Sequence, residues 1–199
     1  IGAYWIAVGI EEAIKSNMNI EEVDQLLGKP FGIPKTAIFG LADLIGVDLL
    51  PTLVKTLQDK LSDDVIHEID IDCALITNMI ASGKLGRKAG KGFYRLDKKA
   101  GTFDVIDLST GEYRSFQKHD YSWPLVNVEK LRLLLDHDSE GAKFAALVML
   151  KVLNYAASLI PEIASSPQDV DDAMCFGYGW GIGPFKMIDN LGVHWVVEA

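Results

Sequence analysis

The sequence is short of positive charge. Its 199 residues hold 19 Lys and Arg against 28 Asp and Glu, a formal net charge of -9. Non-specific nucleic-acid binding needs cations to neutralise phosphates, and docking on an anionic membrane needs the same, so both are excluded as main functions. Cysteine is scarce as well. Cys73 and Cys175 stand alone, with no CxxC pair and no partner at a zinc-like spacing. Two buried thiols in a reducing cytoplasm are the expectation. Long apolar runs are missing. The opening Ile1-Gly2-Ala3-Tyr4-Trp5-Ile6-Ala7-Val8 is closed by Glu11 and Glu12, too soon for a membrane span. Nothing basic precedes it, which rules out a signal peptide. Lacking an initiator Met, and stopping at Val196-Val197-Glu198-Ala199 inside a helix-like pattern, the chain reads as an internal piece of a longer polypeptide.

Catalytic patterns are sparse too. Gly177-Tyr178-Gly179-Trp180-Gly181-Ile182-Gly183 has Ile182 where a third dinucleotide-loop glycine belongs, and no strand is expected before it. A sharp turn where backbone approaches backbone fits better. Gly90-Lys91-Gly92 lacks the Ser or Thr of a phosphate loop. His67, His119, His137 and His194 each have an acid nearby, but 28 acids make that proximity a matter of chance. No Ser/His/Asp set or paired-carboxylate signature stands out. Lys84, Arg87, Lys88 and Lys91 form a local basic cluster. It reads either as a contact for a CoA-type phosphate or as cations placed near a helix C-terminus, where the macrodipole favours them.

What the sequence has is helical periodicity. Residues 1–16 are apolar nearly all round, so that helix is expected to be buried on most sides. A short helix over 20–27, a Gly/Pro loop over 28–34 and a helix over 35–45 should follow, with Pro34 at the start of the last and Gly46 at its end. Asp48 is expected to cap a helix over 49–61. Another helix spans 71–82, with Ile71, Leu75, Ile76, Met79 and Ile80 on one stripe, and Gly83 stops it. Residues 86–94 form a glycine-rich exit. Thr102–Leu108 and Tyr113–Phe116, joined through Gly111, read as a β-hairpin, the one strand signal in the chain. Helices resume over 128–135 and 141–160, where Lys143 and Lys151 argue for a core helix rather than a span.

The chain also echoes itself. Val23-Asp24, a Gly/Pro loop, an apolar helix and Asp43-Leu44-Ile45-Gly46-Val47 recur as Val170-Asp171, a Gly/Pro loop, an apolar helix and Asp189-Asn190-Leu191-Gly192-Val193. Each block follows a long buried helix. Two copies of one helical unit, the second truncated, would supply each other's apolar faces with a partner.

Several of these motifs resemble one family. The stretch Pro34-Lys35-Thr36-Ala37-Ile38-Phe39-Gly40-Leu41-Ala42-Asp43-Leu44-Ile45-Gly46-Val47-Asp48 is similar to the signature of the 3-hydroxyacyl-CoA dehydrogenase C-terminal domain. Leu85-Gly86-Arg87-Lys88-Ala89-Gly90-Lys91-Gly92-Phe93-Tyr94 resembles that domain's terminal motif, and residues 104–116 the hairpin of long members. Gly179 to Gly192 resembles the signature in a second copy. The resemblance covers about 1–95 and 140–199.

The resemblance implies an all-α fold: two 6-phosphogluconate-dehydrogenase-C-terminal-like helical units packed as a pseudo-dimer, with a small β-hairpin in the connection. The first unit would take 1–98, the hairpin linker 99–127 and the second, truncated unit 128–199. The parent enzyme would oxidise L-3-hydroxyacyl-CoA to 3-oxoacyl-CoA with NAD in fatty-acid β-oxidation. Its catalytic groups would lie upstream, in an N-terminal Rossmann domain and at the junction just before Ile1, so no catalytic residue, cofactor site or metal site is expected here. Gly32, Pro34 and Phe39 match the stretch nearest the acyl pocket and are the candidate substrate-binding residues. The implied partners are the chain's own Rossmann domain, the acyl-CoA substrate and a fused enoyl-CoA hydratase. The implied location is the cytoplasm, with no membrane span and no nucleic acid. Two other readings remain open: the helical domain of another β-hydroxyacid or sugar-nucleotide dehydrogenase, and a helical interaction module with no enzymatic parent.

Overall fold

The computed structural model describes residues 1–71, 73–97, 101–119 and 131–198. Helix α1 (Gly2–Lys15) is buried at every position from Tyr4 to Ala13, as its all-round apolar sequence requires. The first half continues through α2 (Ile20–Leu26), a 3-10 turn (Lys29–Phe31), α3 (Phe39–Ile45), α4 (Leu49–Lys60) and α5 (Ala74–Ala81). A three-stranded antiparallel sheet follows: β1 (Tyr94–Asp97), β2 (Thr102–Ile106) and β3 (Tyr113–Ser115), in that order. The second half holds α6 (Leu131–Leu135), α7 (Glu140–Ser158), α8 (Pro167–Tyr178), α9 (Pro184–Leu191) and α10 (Val193–Glu198). No helix among the described residues is long and apolar enough to cross a membrane.

Four local expectations need correction. The helix expected over 35–45 starts only at Phe39. Residues 34–37 close a turn instead, with Ala37 donating its N–H to Pro34 O at 2.9 Å and holding φ at +42°. The helix expected over 71–82 starts at Ala74. Asp48 does not cap α4: its backbone is already helical, and its carboxylate pairs with Lys88 Nζ at 2.6 Å. The hairpin gains a third strand, since Tyr94-Arg95-Leu96-Asp97 pairs with β2, Tyr94 opposite Val105. Four mostly polar residues carry no strand signal of their own. They pair because Gly92 and Asp43 deliver them to the sheet edge, as shown below. Residues 128–130 of the expected helix over 128–135, and 99, 100 and 120–127 of the expected linker, lie outside the described residues.

The sheet is fastened to the first helices by one arginine. Arg114 on β3 grips Glu21 of α2 with both terminal nitrogens, at 2.6 and 2.9 Å, and reaches Asn19 Oδ1 at 2.7 Å. The backbone N–H of Gln117 donates to the same carboxylate at 2.9 Å. Burial pushes the Glu21 carboxyl up, but these donors outweigh it and hold the group below its ordinary range.

The halves meet along α1 and α7. Tyr4 and Tyr155 stack with centroids 4.2 Å apart. Lys151 Nζ reaches the buried Glu12 at 2.7 Å, and Lys15 holds the neighbouring Glu11 at 2.9 Å. Asp70 N–H donates to Glu11 at 3.0 Å. The two acids that closed the apolar opening of the chain are thus buried with partners, Glu12 against Lys151 of α7 and Glu11 against Lys15 and the Asp70 N–H.

Candidate functional site

The signature stretch is organised by an acid far upstream of it. Asp24, at the end of α2, turns its carboxylate onto the first turn of α3. Oδ1 accepts the N–H groups of Ile38 and Phe39 at 3.0 and 2.8 Å, and Oδ2 accepts that of Gly40 at 2.9 Å. These are the orphan donors that every helix start presents. The Tyr94 hydroxyl donates to Oδ2 as well, at 2.9 Å. A second acid closes the other end of α3. Asp43, 3% exposed, accepts Phe93 N–H and Tyr94 N–H at 2.8 Å each. Gly92 sits so close that a Cβ there would fall 2.0 Å from Asp43 Oδ1. The exit motif is therefore packed against α3 through its glycines, and Phe93 meets Phe39 edge to face at 4.8 Å. These contacts hold β1 beside β2.

Burial pushes the Asp24 carboxyl up to about 7, against the N–H groups of Phe39 and Gly40, the Tyr94 hydroxyl and the N–H of Ile38, which pull it down. Asp43 is raised to about 6 for the same first reason. Both folded values lie above the unfolded one of 3.8. The native state then binds more protons, and stability falls as pH rises from about 4 through about 7. The urea midpoint should drop between pH 5 and pH 7.5, and Asp24→Asn should flatten that slope. A midpoint that climbs over this window would refute the assignment.

The second half repeats the device. Asp171, at the same place in the echo, accepts Phe185 N–H at 2.8 Å and Lys186 N–H at 2.9 Å, capping α9. Gly32 and Gly179 follow their acids at the same spacing and share a left-handed backbone, φ +68° and +69°. The first loop is one residue longer between that glycine and the capped phenylalanine. The strained Ala37 lies in this longer stretch.

The two signature loops touch. Gly181 N–H donates to Gly32 O at 2.7 Å. A Cβ on Gly179 would lie 3.5 Å from Pro34 Cγ. The partner position of Gly181 in the first loop is Pro34, which has no N–H to return the bond. Nearby, a Cβ on Gly2 would fall 2.0 Å from the Tyr178 ring, so Tyr178 lies directly on the backbone of α1. Trp5 and Trp180 pack edge to face at 5.3 Å. This is the close backbone approach that the glycines around Trp180 lead one to expect.

The structure thus distributes the three candidate substrate-binding residues. Gly32 and Pro34 are half-buried at the seam between the halves, and Phe39 is fully buried against Phe93. Two surface grooves, about 540 and 450 Å³, lie elsewhere, one between α5 and the β2–β3 turn and one beside α4. Of the basic cluster, three members have internal work. Lys91 Nζ donates to Ser82 O at the end of α5, 3.0 Å away, Lys84 Nζ to Gly111 O at 2.6 Å, and Lys88 pairs with Asp48. Of these only the Lys91 contact is with a helix C-terminus, as the helix-terminus reading expects. His67 Nε2 lies 2.6 Å from Leu61 O. No group of three His, Cys, Asp or Glu among the described residues could hold a metal. The three strands are antiparallel, and of the glycines over 177–183 Gly177 lies in the last turn of α8 and the others follow that helix rather than a strand, so this loop does not have the strand–loop–helix setting of a dinucleotide turn. Sequence reasoning missed Asp24, Asp43, Asp171 and Tyr94. The signal was there in the repeated Val-Asp pairs and in the acid of each Asp-x-x-Gly-Val ending.

The comparisons with known proteins follow this duplicated geometry. The model of the 3-hydroxyacyl-CoA dehydrogenase C-terminal domain matches residues 3–96 and 144–199. A protein of Rickettsia prowazekii (strain Madrid E), named as a fatty acid oxidation complex trifunctional enzyme, is 33% identical over 94% of this chain and 26% of its own length. One of Bacillus subtilis (strain 168), named as a 3-hydroxyacyl-CoA dehydrogenase, is 29% identical over the whole chain and 26% of its own length. The chain therefore spans about a quarter of the curated relatives it matches. The crystal structure of 3-hydroxybutyryl-CoA dehydrogenase from Escherichia coli K12 superposes with a TM-score of 0.62 over 98% of this chain and 53% of the other, at 14% identity, a likeness of fold. With the family model covering most of the sequence and both capped helices, the chain belongs to the 3-hydroxyacyl-CoA dehydrogenase C-terminal domain family.

Proposed function

We propose that this chain is the helical, substrate-side portion of an NAD-dependent L-3-hydroxyacyl-CoA dehydrogenase of fatty-acid β-oxidation, and that it is inactive alone. The family match over both halves of the chain carries this reading. The short span relative to its relatives agrees with it. NAD, the catalytic base and the groups that hold the reacting oxygen belong to an upstream Rossmann domain and its junction with this chain. The helical units, 1–98 and 128–199 with the linker 99–127 between them, pack as a pseudo-dimer along α1 and α7 and give that domain a rigid floor. Gly32 and Pro34 form part of the acyl-pocket wall. Phe39 acts from behind, holding the loop on its capped helix. The relatives named for fatty acid oxidation complexes favour a fused enoyl-CoA hydratase, and two unpaired cysteines suit a reducing cytoplasm.

The test is reduction of acetoacetyl-CoA by NADH, followed at the nicotinamide band. This chain should give no turnover, and the chain joined to its natural upstream sequence should turn over. Turnover by the chain alone would show that the catalytic groups are misplaced. An upstream sequence without a strand–GxGxxG–helix would overturn the dehydrogenase reading itself, leaving the interaction module.

A further inference from the structure

The two copies of the signature loop reach their helices differently. Six residues, 33–38, separate Gly32 from the capped Phe39, while five, 180–184, separate Gly179 from Phe185. The shorter loop has no residue other than glycine at positive φ. The longer one carries the turn 34–37 and leaves the buried Ala37 at φ +42°. The fold can thus start this helix without strain, and strain kept where the repeat avoids it points to a task for the turn. What the turn presents is Lys35, exposed at its tip. Lys29, also exposed, opens the same loop. The loop is closed on itself at its base: Gly28 O accepts the N–H of Ile33 at 3.1 Å, and a Cβ on Gly28 would lie 3.5 Å from Ala37 Cβ.

We infer that Lys29 and Lys35 make the mouth of the acyl pocket electropositive and draw in the phosphate-bearing end of CoA. This rests on the dehydrogenase reading, in which Gly32 and Pro34 of the same loop form part of the pocket wall. The charge pattern carries it. No acid occurs from Gln25 to Ala42, in a chain that holds 28. Asp24 and Asp43, which bound that stretch, are turned onto backbone N–H groups. Among the described residues neither lysine has an ion pair, whereas Lys84, Lys88 and Lys91 are engaged within the chain. The pantetheine arm holds the phosphates outside the acyl pocket, so cations on the rim of its wall suffice. Exposed charges act on an anion over a Debye length, roughly 10 Å. On an acidic chain, a positive rim gives the anionic substrate one favourable approach.

The test uses the chain joined to its natural upstream sequence and compares two substrates, acetoacetyl-CoA and acetoacetyl-pantetheine, which has no phosphate. Changing both lysines, Lys29→Ala with Lys35→Ala, should raise KM for acetoacetyl-CoA roughly tenfold at low ionic strength, two exposed ion pairs' worth. The rise should shrink as salt is added, kcat should hold, and KM for the pantetheine thioester should not move. A matched pair on α4, Lys55→Ala with Lys60→Ala, removes the same charge from exposed sites and should leave both KM values alone. An unchanged KM for acetoacetyl-CoA, an equal rise for the pantetheine thioester, or an equal rise from the α4 pair would each overturn the inference while the dehydrogenase reading stands. No turnover by the unaltered joined protein would overturn that reading and the inference with it.

Discussion

Asp24→Ala is expected to be among the most damaging single changes in the chain, costing about 4 kcal/mol, and Asp171→Ala is expected to cost about half as much. The argument counts donors. Asp24 satisfies three backbone N–H groups and the Tyr94 hydroxyl, whereas Asp171 satisfies two N–H groups. A buried donor stripped of its acceptor loses about 1–3 kcal/mol, less where water can follow into the space left by the side chain. Tyr94 loses more than a bond, because its hydroxyl ties β1 to the start of α3. A domain of this size has a total stability of about 5–15 kcal/mol, so Asp24→Ala should remove a large share of it. Urea unfolding of both variants at pH 7 checks this. Equal losses, or a larger loss for Asp171→Ala, would mean that donor count does not set the scale.

How much of this was legible beforehand follows from where each signal resides. Helix α1 could be read because burial on all sides leaves an unbroken apolar run, and α7 because nineteen residues keep their periodicity around two lysines. The duplication could be read because its acids and glycines recur at nearly fixed spacing. The start of α3 could not. Pro34 is a local cue for a helix start, but the cap that decides comes from Asp24, fourteen to sixteen residues away, and a spacing rule for caps looks only three residues ahead. Asp48 failed for the converse reason: a residue placed to cap was drawn off by Lys88, forty positions along. Strand β1 is wholly a tertiary product, since its four residues pair only because the glycine exit brings them there. Of the site, the glycines of both loops were legible as places of close backbone approach. The residues they approach became visible only with the units packed.

Gly92→Ala should cost about 3–5 kcal/mol, while Gly90→Ala, two residues away, should cost about 1 kcal/mol. At Gly90 nothing lies within 4 Å of a new Cβ, so the whole penalty is the left-handed backbone at φ +70°. At Gly92 the penalty is steric: the new methyl would meet Asp43 Oδ1 at 2.0 Å and Gly86 Cα at 2.5 Å. Neither can step aside cheaply. Asp43 is held by the N–H groups of Phe93 and Tyr94, and if the carboxylate swings out, both donors are left without it. Gly86 is fixed by its N–H bond to Lys91 O at 2.8 Å. If β1 moves instead, Phe93 leaves its place against Phe39 and Tyr94 leaves Asp24. Each escape breaks a buried network, and partly broken networks of this kind cost more than their separate bonds. Urea midpoints of the two alanine variants, measured side by side, decide the matter. A Gly92→Ala protein no weaker than Gly90→Ala would show that the exit motif is free to move on α3, and with that result the claim that these glycines exist to bring backbone onto Asp43 would fail.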